Sequence, residues 1–487
     1  MNTLTLALNL LVIQGALGAV DTLYHHELRA ALPQQPGAAV ELRIHALRSL
    51  LYGLLFAGLA WFDWGGAWLI VPMAVLLVEV VLTLWDFLVE DRSRLLPRSE
   101  RVLHTLLAIN GGAVFALLAL HAPHWWALPT GLHRASHGWL SVAFSLFAAG
   151  VTASGIRDAI ASRRLRRRAA RGAKIRFTGG PRRVLVTGGT GFIGQALCRA
   201  LLAEGHELTL LTRDPLRASY LFDGRARCIH GLDELDRRTP LDVVINLAGE
   251  RIVGPRWTAT RKHKLIASRI DTTRALVEWI ARARSKPRLM ISASAVGYYG
   301  VQAPEDPGVL NENTASQPVF VSELCQRWEA AARTVTDQGV PLALLRFGLV
   351  FGDQGILPAM RLPFLLGLGG RIGKGRHVIS WVHIDDVIGA IAHLMNNPDP
   401  KRAHGVYNVT APQPITQAEF AATLARTLRR PAWLVTPAAL LRLLLGEQAT
   451  LMVDGQRAHP TALVRAGYRF RFPRLDAALE DLHGAAS

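Results

Sequence analysis

VLVTGGTGFIG, residues 184–194, decides the fold of the larger part of the chain. Val184, Leu185 and Val186 form an unbroken apolar run, as a strand buried on both faces requires. The run gives way to Gly188, Gly191 and Gly194, spaced by three, and Phe192 and Ile193 open a helix. Each glycine has its own task in such a turn. Gly188 lets the chain reverse tightly, Gly191 lets a pyrophosphate approach the backbone, and Gly194 lets helix and strand pack closely. The N–H groups at the helix N-terminus then face the phosphates. A second strand, 207–211, follows the helix. That strand–turn–helix–strand order is the context that makes a glycine pattern a dinucleotide-binding turn. No Lys-Ser or Lys-Thr follows the glycines, which argues against a nucleoside-triphosphate loop.

Downstream, strand 207–211 ends in Thr212, Arg213 and Asp214. An acid at this strand end suits the ribose 2′-hydroxyl of NAD, and an arginine suits the 2′-phosphate of NADP. Arg213 comes first, so NADP(H) is expected ahead of NAD. Residues 241–247, LDVVINL, predict another buried strand that ends at Asn246 and Leu247. Ala248, Gly249 and Glu250 follow, where the backbone can approach the cofactor. Further strands are expected at 288–294 and 342–345, with helices at 264–284 and 322–338. Strands alternating with helices imply an α/β doubly wound parallel sheet that binds ligands at the C-terminal strand ends. Thr416 and Glu419 form a capping box for a helix over 417–428.

Upstream the chain changes character. Half of the 487 residues are hydrophobic and the formal net charge is +18. The mean hydropathy is +0.21. Five apolar stretches, 3–20, 50–64, 67–88, 102–120 and 140–156, are read as transmembrane helices. The second is short unless it begins near Ile44. No Lys or Arg precedes the first stretch, so it lacks the basic start of a signal peptide. Arg29 and Arg43 follow span one, Arg92, Arg94, Arg98 and Arg101 follow span three, and an arginine-rich run follows span five. The opposite loops hold only Arg134. This asymmetry places the N-terminus outside and everything after span five in the cytoplasm, at an inner membrane. The arginine run has no interleaved aromatics, so its expected partner is the lipid bilayer and not nucleic acid. Cys198, Cys228 and Cys325 suit neither a zinc site nor a disulfide framework, as befits a reducing compartment. The expected domains are a helical membrane domain at 1–160, a linker at 161–181, a nucleotide-binding domain at 182–430 and a small C-terminal domain at 431–487.

Ionisable residues recur near the spans at a spacing of four: Asp21 and His25, Glu41 and His45, Asp86 and Glu90, Glu100 and His104. Residues four apart share a helix face. With alternating spans all four pairs fall at the cytoplasmic face. Glu79 lies seven before Asp86. Two readings stay open. The pairs are polar groups bonded to one another or to water, or they ligate a redox metal, iron first, with haem or quinone as the alternative use of the histidines.

The series TGGTGFIG, NLAG, SASAVGYYG, RFGLVFG and WVHIDDV, in this order, resembles the extended short-chain dehydrogenase/reductase superfamily. It is most similar to the atypical branch called "epimerase family", sugar-nucleotide epimerase-like, with its small C-terminal domain of unknown function at 433–483. The resemblance covers about residue 182 to the C-terminus. It implies a small-molecule substrate and three catalytic groups: a Ser, a Tyr and a Lys four residues after the Tyr. Ser294 best matches the Ser, with Ser292 second. The Tyr and Lys would fall at Phe320 and Leu324, and neither is present. Tyr298 or Tyr299 is the candidate replacement acid; Glu323 and Cys325 are weaker candidates. His383, Asp385 and Asp386 would look like a metal cluster in isolation, but the resemblance places them at the junction of sheet and substrate region, with both aspartates capping a helix from Val387. The expected function is a membrane-anchored NADP-dependent oxidoreductase or epimerase. Its rivals are a non-catalytic NADP(H)-binding sensor or scaffold and an NADPH-fed redox enzyme with a metal centre in the membrane domain.

Overall fold

The computed structural model describes residues 2–24, 38–93, 98–172 and 175–484. The chain divides into two compact units, Met1–Arg171 and Gly172–Ser487.

The first unit holds α1 (Thr3–Val20), α2 (Ala39–Trp61), α3 (Ile70–Ser93), α4 (Arg98–Trp126) and α5 (Trp139–Gly172). All five include stretches long and apolar enough to cross a membrane. α2 starts well before the stretch that hydropathy marked. Its first turns carry Glu41 and His45, which are buried, and Arg48, which is ion-paired. Polar residues that find partners inside a bundle are invisible to a hydropathy scan. α5 likewise runs through the first part of the expected 161–181 linker, because Arg and Ala favour helix and neither Gly nor Pro stands between Ala161 and Gly172. β1 (Phe62–Gly65) and β2 (Gly131–Arg134) pair antiparallel, joining the two loops that are poor in basic residues. Leu8, Leu55, Phe56, Val114 and Phe144 are among the residues of the bundle core.

The second unit is built on β3 (Arg183–Thr187), α6 (Phe192–Ala203), β4 (Glu207–Leu211), α7 (Pro215–Leu221), β5 (Arg227–Ile229), β6 (Val243–Asn246), α8 (Ala259–Arg282), β7 (Leu289–Ala295), α9 (Phe320–Arg333) and β8 (Leu342–Phe347). There follow β9 (Leu349–Phe351), α10 (Leu357–Leu365), β10 (Gly370–Ile372), β11 (Val378–Ile379), β12 (Trp381–His383), α11 (Ile384–Met395) and β13 (Gly405–Val409). The chain closes with β14 (Ile415–Thr416), α12 (Gln417–Leu428), β15 (Leu434–Thr436), α13 (Ala438–Leu445), α14 (Thr450–Val453), α15 (Thr461–Arg465) and α16 (Leu475–Gly484). The main sheet has seven strands in the order β13-β8-β7-β6-β3-β4-β5, and every pairing is parallel. Successive side chains of β3 go to opposite faces. Val184 and Val186 pack with Leu197 and Leu201 of α6 and Ile391 of α11. Leu185 packs with Leu276 and Ile280 of α8. The strand order reverses between β3 and β6, which places a crevice at their C-terminal ends.

The segment from 431 is part of this unit. β15 pairs with β10 in parallel, Gln302 bridges Gly455 and Leu310 bridges Ala458. The 383–386 stretch corrects the sequence reading of its caps. His383 is the N-cap, its Nδ1 accepting from the Asp385 N–H at 3.1 Å, and both aspartates sit in the first turn. Asp385 is ion-paired to Arg471 at 2.9 Å. The buried Asp386 carboxylate accepts from Tyr468 Oη and the N–H groups of Arg471 and Phe472. These acids are engaged in fastening the C-terminal segment. Asp386→Ala removes the acceptor of these three donors and is expected to cost about 1–3 kcal/mol. A lowered melting temperature, with earlier proteolysis after Tyr468, checks this; an unchanged melt would refute it.

Candidate cofactor and catalytic site

The glycine turn has the geometry its spacing requires. Gly188 has φ +69°, and a Cβ there would lie 2.5 Å from the Leu247 carbonyl oxygen. A Cβ on Gly194 would lie 2.1 Å from the Gly188 oxygen, so this glycine sets the approach of α6 to the turn. Gly191 is the N-cap of α6. A Cβ there meets only the Gly188 oxygen, at 3.2 Å, which leaves open space beside the helix N-terminus. Ile193 packs against the sheet core. The Phe192 ring lies where Cβ atoms on Gly352 and Gly355 would stand. The cradle fits a pyrophosphate on backbone N–H groups alone.

Beyond β4, the Thr212 N–H donates to the Ile229 carbonyl at 3.0 Å. Asp214 caps α7, accepting from the Arg217 N–H at 3.0 Å. Arg213 is 94% exposed, with its guanidinium 4.0 Å from Glu250. Glu250 also pairs with Arg261 at 3.2 Å, and its carbonyl accepts from Arg269 at 3.0 Å. The same guanidinium of Arg269 lies 3.1 Å from where a Cβ on Gly249 would be. The Ala248 N–H donates to Thr187 Oγ1 at 3.2 Å. Asn246 is fully buried. It accepts from Thr187 and donates to Thr273 and Ser292, so it staples strand ends together below the crevice. Ser292, the second choice for the catalytic serine, is consumed by this staple.

Ser294, at the end of β7, is 2% exposed. Its hydroxyl donates to Glu329 of α9 at 2.8 Å. Glu329 in turn receives a two-point contact from Arg346 of β8, at 2.8 and 2.9 Å. Arg346 also donates to Tyr299 Oη at 3.0 Å, and Tyr299 donates to Asn408 at 2.7 Å. The Arg346 guanidinium lies 3.4 Å over the Tyr298 ring. Burial opposes the arginine's charge, but the Glu329 pair and Tyr299 outweigh it and hold its pKa above the ordinary value. Tyr299 is thus locked and buried, while Tyr298 is half-buried at the strand ends. Glu329 and Arg346 were absent from the sequence-level site. Arg346 lies inside RFGLVFG, and a charge after a buried apolar run was the available signal.

A model of the NAD dependent epimerase/dehydratase family matches residues 184–410, and one of a domain of unknown function, DUF1731, matches 436–482. Human epimerase family protein SDR39U1 is 38% identical over 308 residues, covering 62% of this chain and 99% of the relative. The chain belongs to the NAD dependent epimerase/dehydratase family. Epimerase family protein YfhF of Bacillus subtilis is 35% identical, over 61% of this chain and 97% of its own. The crystal structure of human SDR39U1 (isoform 2) with NADPH aligns at TM-score 0.56 and 36% identity, covering 62% of this chain and 99% of that one.

In this epimerase-family chain Phe320 and Leu324 lie in an apolar cluster with Trp257, Leu265 and Val321. Lys262 sits over the Phe320 ring at 4.6 Å. Glu323 points to solvent. Cys325 is buried beside Ser294, and burial pushes its thiol up to about 11, so it is a neutral packing residue.

In the first unit the structure sorts the eight expected metal ligands. Asp21, Glu100 and His104 come together, their ligand atoms all within 4.8 Å of one another. Among the described residues this is the only such group. His45 bonds Asp86 at 3.1 Å, and Arg48 bonds Asp86 at 2.7 Å and Glu79 at 2.9 Å. An arginine thus stands between two carboxylates, Glu79 and Asp86, beside His45. Arg48 stands three after His45 on the same helix face, so its role was readable from spacing. Glu41 is buried. His25 lies outside the described residues, as does the Glu90 side chain.

Glu329→Ala leaves Arg346 buried without its carboxylate. The expected loss is about 3–5 kcal/mol, read as a fall in denaturation midpoint of the full chain. Glu329→Ala together with Arg346→Met is expected to recover part of it. A single variant as stable as the parent would show that the pair is dispensable.

Proposed function

We propose that this chain is a membrane-anchored, NADP(H)-dependent oxidoreductase or epimerase-like enzyme acting on a small or lipid-associated substrate. The observation that carries the cofactor is the open wall at Gly191, beside a helix N-terminus in a family with an NADPH-bound crystal structure. NADP(H), when bound, supplies or accepts hydride. Backbone N–H groups of 192–194 hold its pyrophosphate. The Asp214 carboxylate is committed to the α7 cap, so it is poorly placed for the ribose hydroxyl of NAD. Arg213, exposed at the same strand end, is placed for a 2′-phosphate. The Ser294 hydroxyl donates its hydrogen bond to Glu329, which leaves its lone pairs to accept from a substrate hydroxyl and orient it. Tyr298 is the accessible phenol for proton transfer. The five apolar helices serve as the anchor, with the arginine-rich end of α5 and the second unit on the cytoplasmic side.

A second reading is favoured by the Asp21, Glu100 and His104 cluster. Oxygen and nitrogen donors of this kind suit iron, which would draw electrons from NADPH. Equimolar iron in detergent-purified protein, reduced in His104→Ala, supports it; sub-stoichiometric metal refutes it.

For the principal reading, NADPH should bind more tightly than NADH, and Arg213→Ala should remove most of the difference. One exposed charge-assisted contact is worth about tenfold. Equal affinities in the parent protein would refute the assignment. Ser294→Ala is expected to lower turnover about 10²-fold with NADPH binding retained. NADPH binding without turnover on any carbonyl, hydroxyl or sugar-nucleotide substrate would leave the non-catalytic sensor. A reporter after Ser487 should be cytoplasmic and one before Met1 outside; the reverse would overturn the orientation.

A further inference from the structure

The helical unit contains a cavity of about 720 Å³, within the range of small-molecule sites, roughly 300–1,000 Å³. We propose that it binds a neutral lipid-phase molecule with a carbonyl-bearing head, of the quinone class. The proposal rests on the membrane reading of this unit and concerns a site apart from the nucleotide crevice.

The walls divide by chemistry. Phe56, Phe115, Phe147 and Leu107 supply an apolar portion. The polar portion is made of hydrogen-bonded groups. Arg48 joins Glu79 to Asp86, and His45 bonds the same Asp86. Gln14 donates to Tyr52 Oη at 3.4 Å and accepts from Asn110 at 2.8 Å. His104 bonds Asp21 at 3.1 Å. A ligand that satisfies both portions has a hydrocarbon body and a compact polar head.

Charge narrows the head. The lining carries four carboxylates, Asp21, Glu79, Asp86 and Asp158, against two guanidiniums, Arg48 and Arg157. Both guanidiniums are already engaged, Arg48 as above and Arg157 with Asp158 at 2.9 Å. The two lining imidazoles are also bonded to carboxylates, His45 to Asp86 and His104 to Asp21, so among the described residues each cationic group of the lining is already paired with an acid and a fatty acid or phosphate head would gain no cation of its own at low dielectric. A neutral carbonyl needs only donors, which imidazole, phenol and amide groups provide.

Three glycines make room. Gly18, Gly112 and Gly150 line the cavity, Gly112 and Gly150 from exposed positions, and a Cβ on any of them meets nothing within 4 Å. Each glycine also weakens its helix relative to a residue with a side chain. A site that must admit a ligand gives these positions a use that helix stability does not.

The test uses the full chain in phosphatidylcholine nanodiscs, titrated with decylubiquinone. Saturable binding of about one molecule per chain is expected, with oleate failing to compete. Gly112→Leu and Gly150→Leu should each weaken binding about tenfold or more while the melting temperature holds or rises, because the new side chains fill space without clash. Tyr52→Phe should weaken it less. Binding no greater than to empty nanodiscs, unchanged affinity in both glycine variants, or competition by oleate equal to that of decylubiquinone would each overturn the proposal. Retention in membranes after carbonate extraction, read on the same preparation, separates failure of the site from failure of the membrane reading.

Discussion

The buried fork between Glu329 and Arg346 is the contact on which one end of the second unit's sheet depends. It joins α9 to β8, fixes Ser294 at the end of β7, and through Tyr299 reaches Asn408 on β13. Glu312 extends the same set. Its carbonyl accepts from Arg346, and its carboxylate accepts from the N–H groups of Asn408 and Ala462. One ion pair thus sets the positions of three neighbouring strand ends and of the C-terminal segment against them. A buried pair of this kind gives little net stability over an apolar replacement, because desolvation of both charges offsets their attraction. Its effect is geometric: a two-point guanidinium contact fixes direction as well as distance. The hydroxyl of Ser294 is consequently fixed, donating its hydrogen bond to Glu329.

The first unit applies the same physics among apolar helices. Ionisable groups among apolar helices are tolerated when they are paired. Arg48, Glu79, Asp86 and His45 pair between α2 and α3, and Asp21 and His104 pair between α1 and α4. Pairing accounts for how the helices accommodate these residues. It does not account for the space beside them, or for the glycines that keep it open.

Much of this protein could be read directly. The glycine spacing, the apolar runs of β3, β4, β6, β7 and β8, and five long apolar stretches are local patterns. The chain writes them with periods set by backbone geometry, so strand, turn and helix are visible without neighbours. β4, α1 and α12 have the bounds their sequences predicted. Strand β13 did not announce itself, because GVYNV buries Asn408 through contacts with residues about fifty and a hundred positions away. The start of α2 was hidden by Glu41, His45 and Arg48, whose polarity resembles a loop until their partners are known.

The sequence by itself determined the alternation of the central strands and helices, the nucleotide-binding turn and the presence of a separate apolar helical unit. Each follows from residues close together in the chain. Only the tertiary structure decided which polar residues work together. It gave Ser294 to Glu329, Ser292 to Asn246, Asp386 to the C-terminal segment and Asp86 to Arg48. It also separated the accessible Tyr298 from the locked Tyr299, its immediate neighbour. The reason is physical: a buried polar group takes whichever partner the packing brings within about 3 Å, and most of these partners stand tens of residues away.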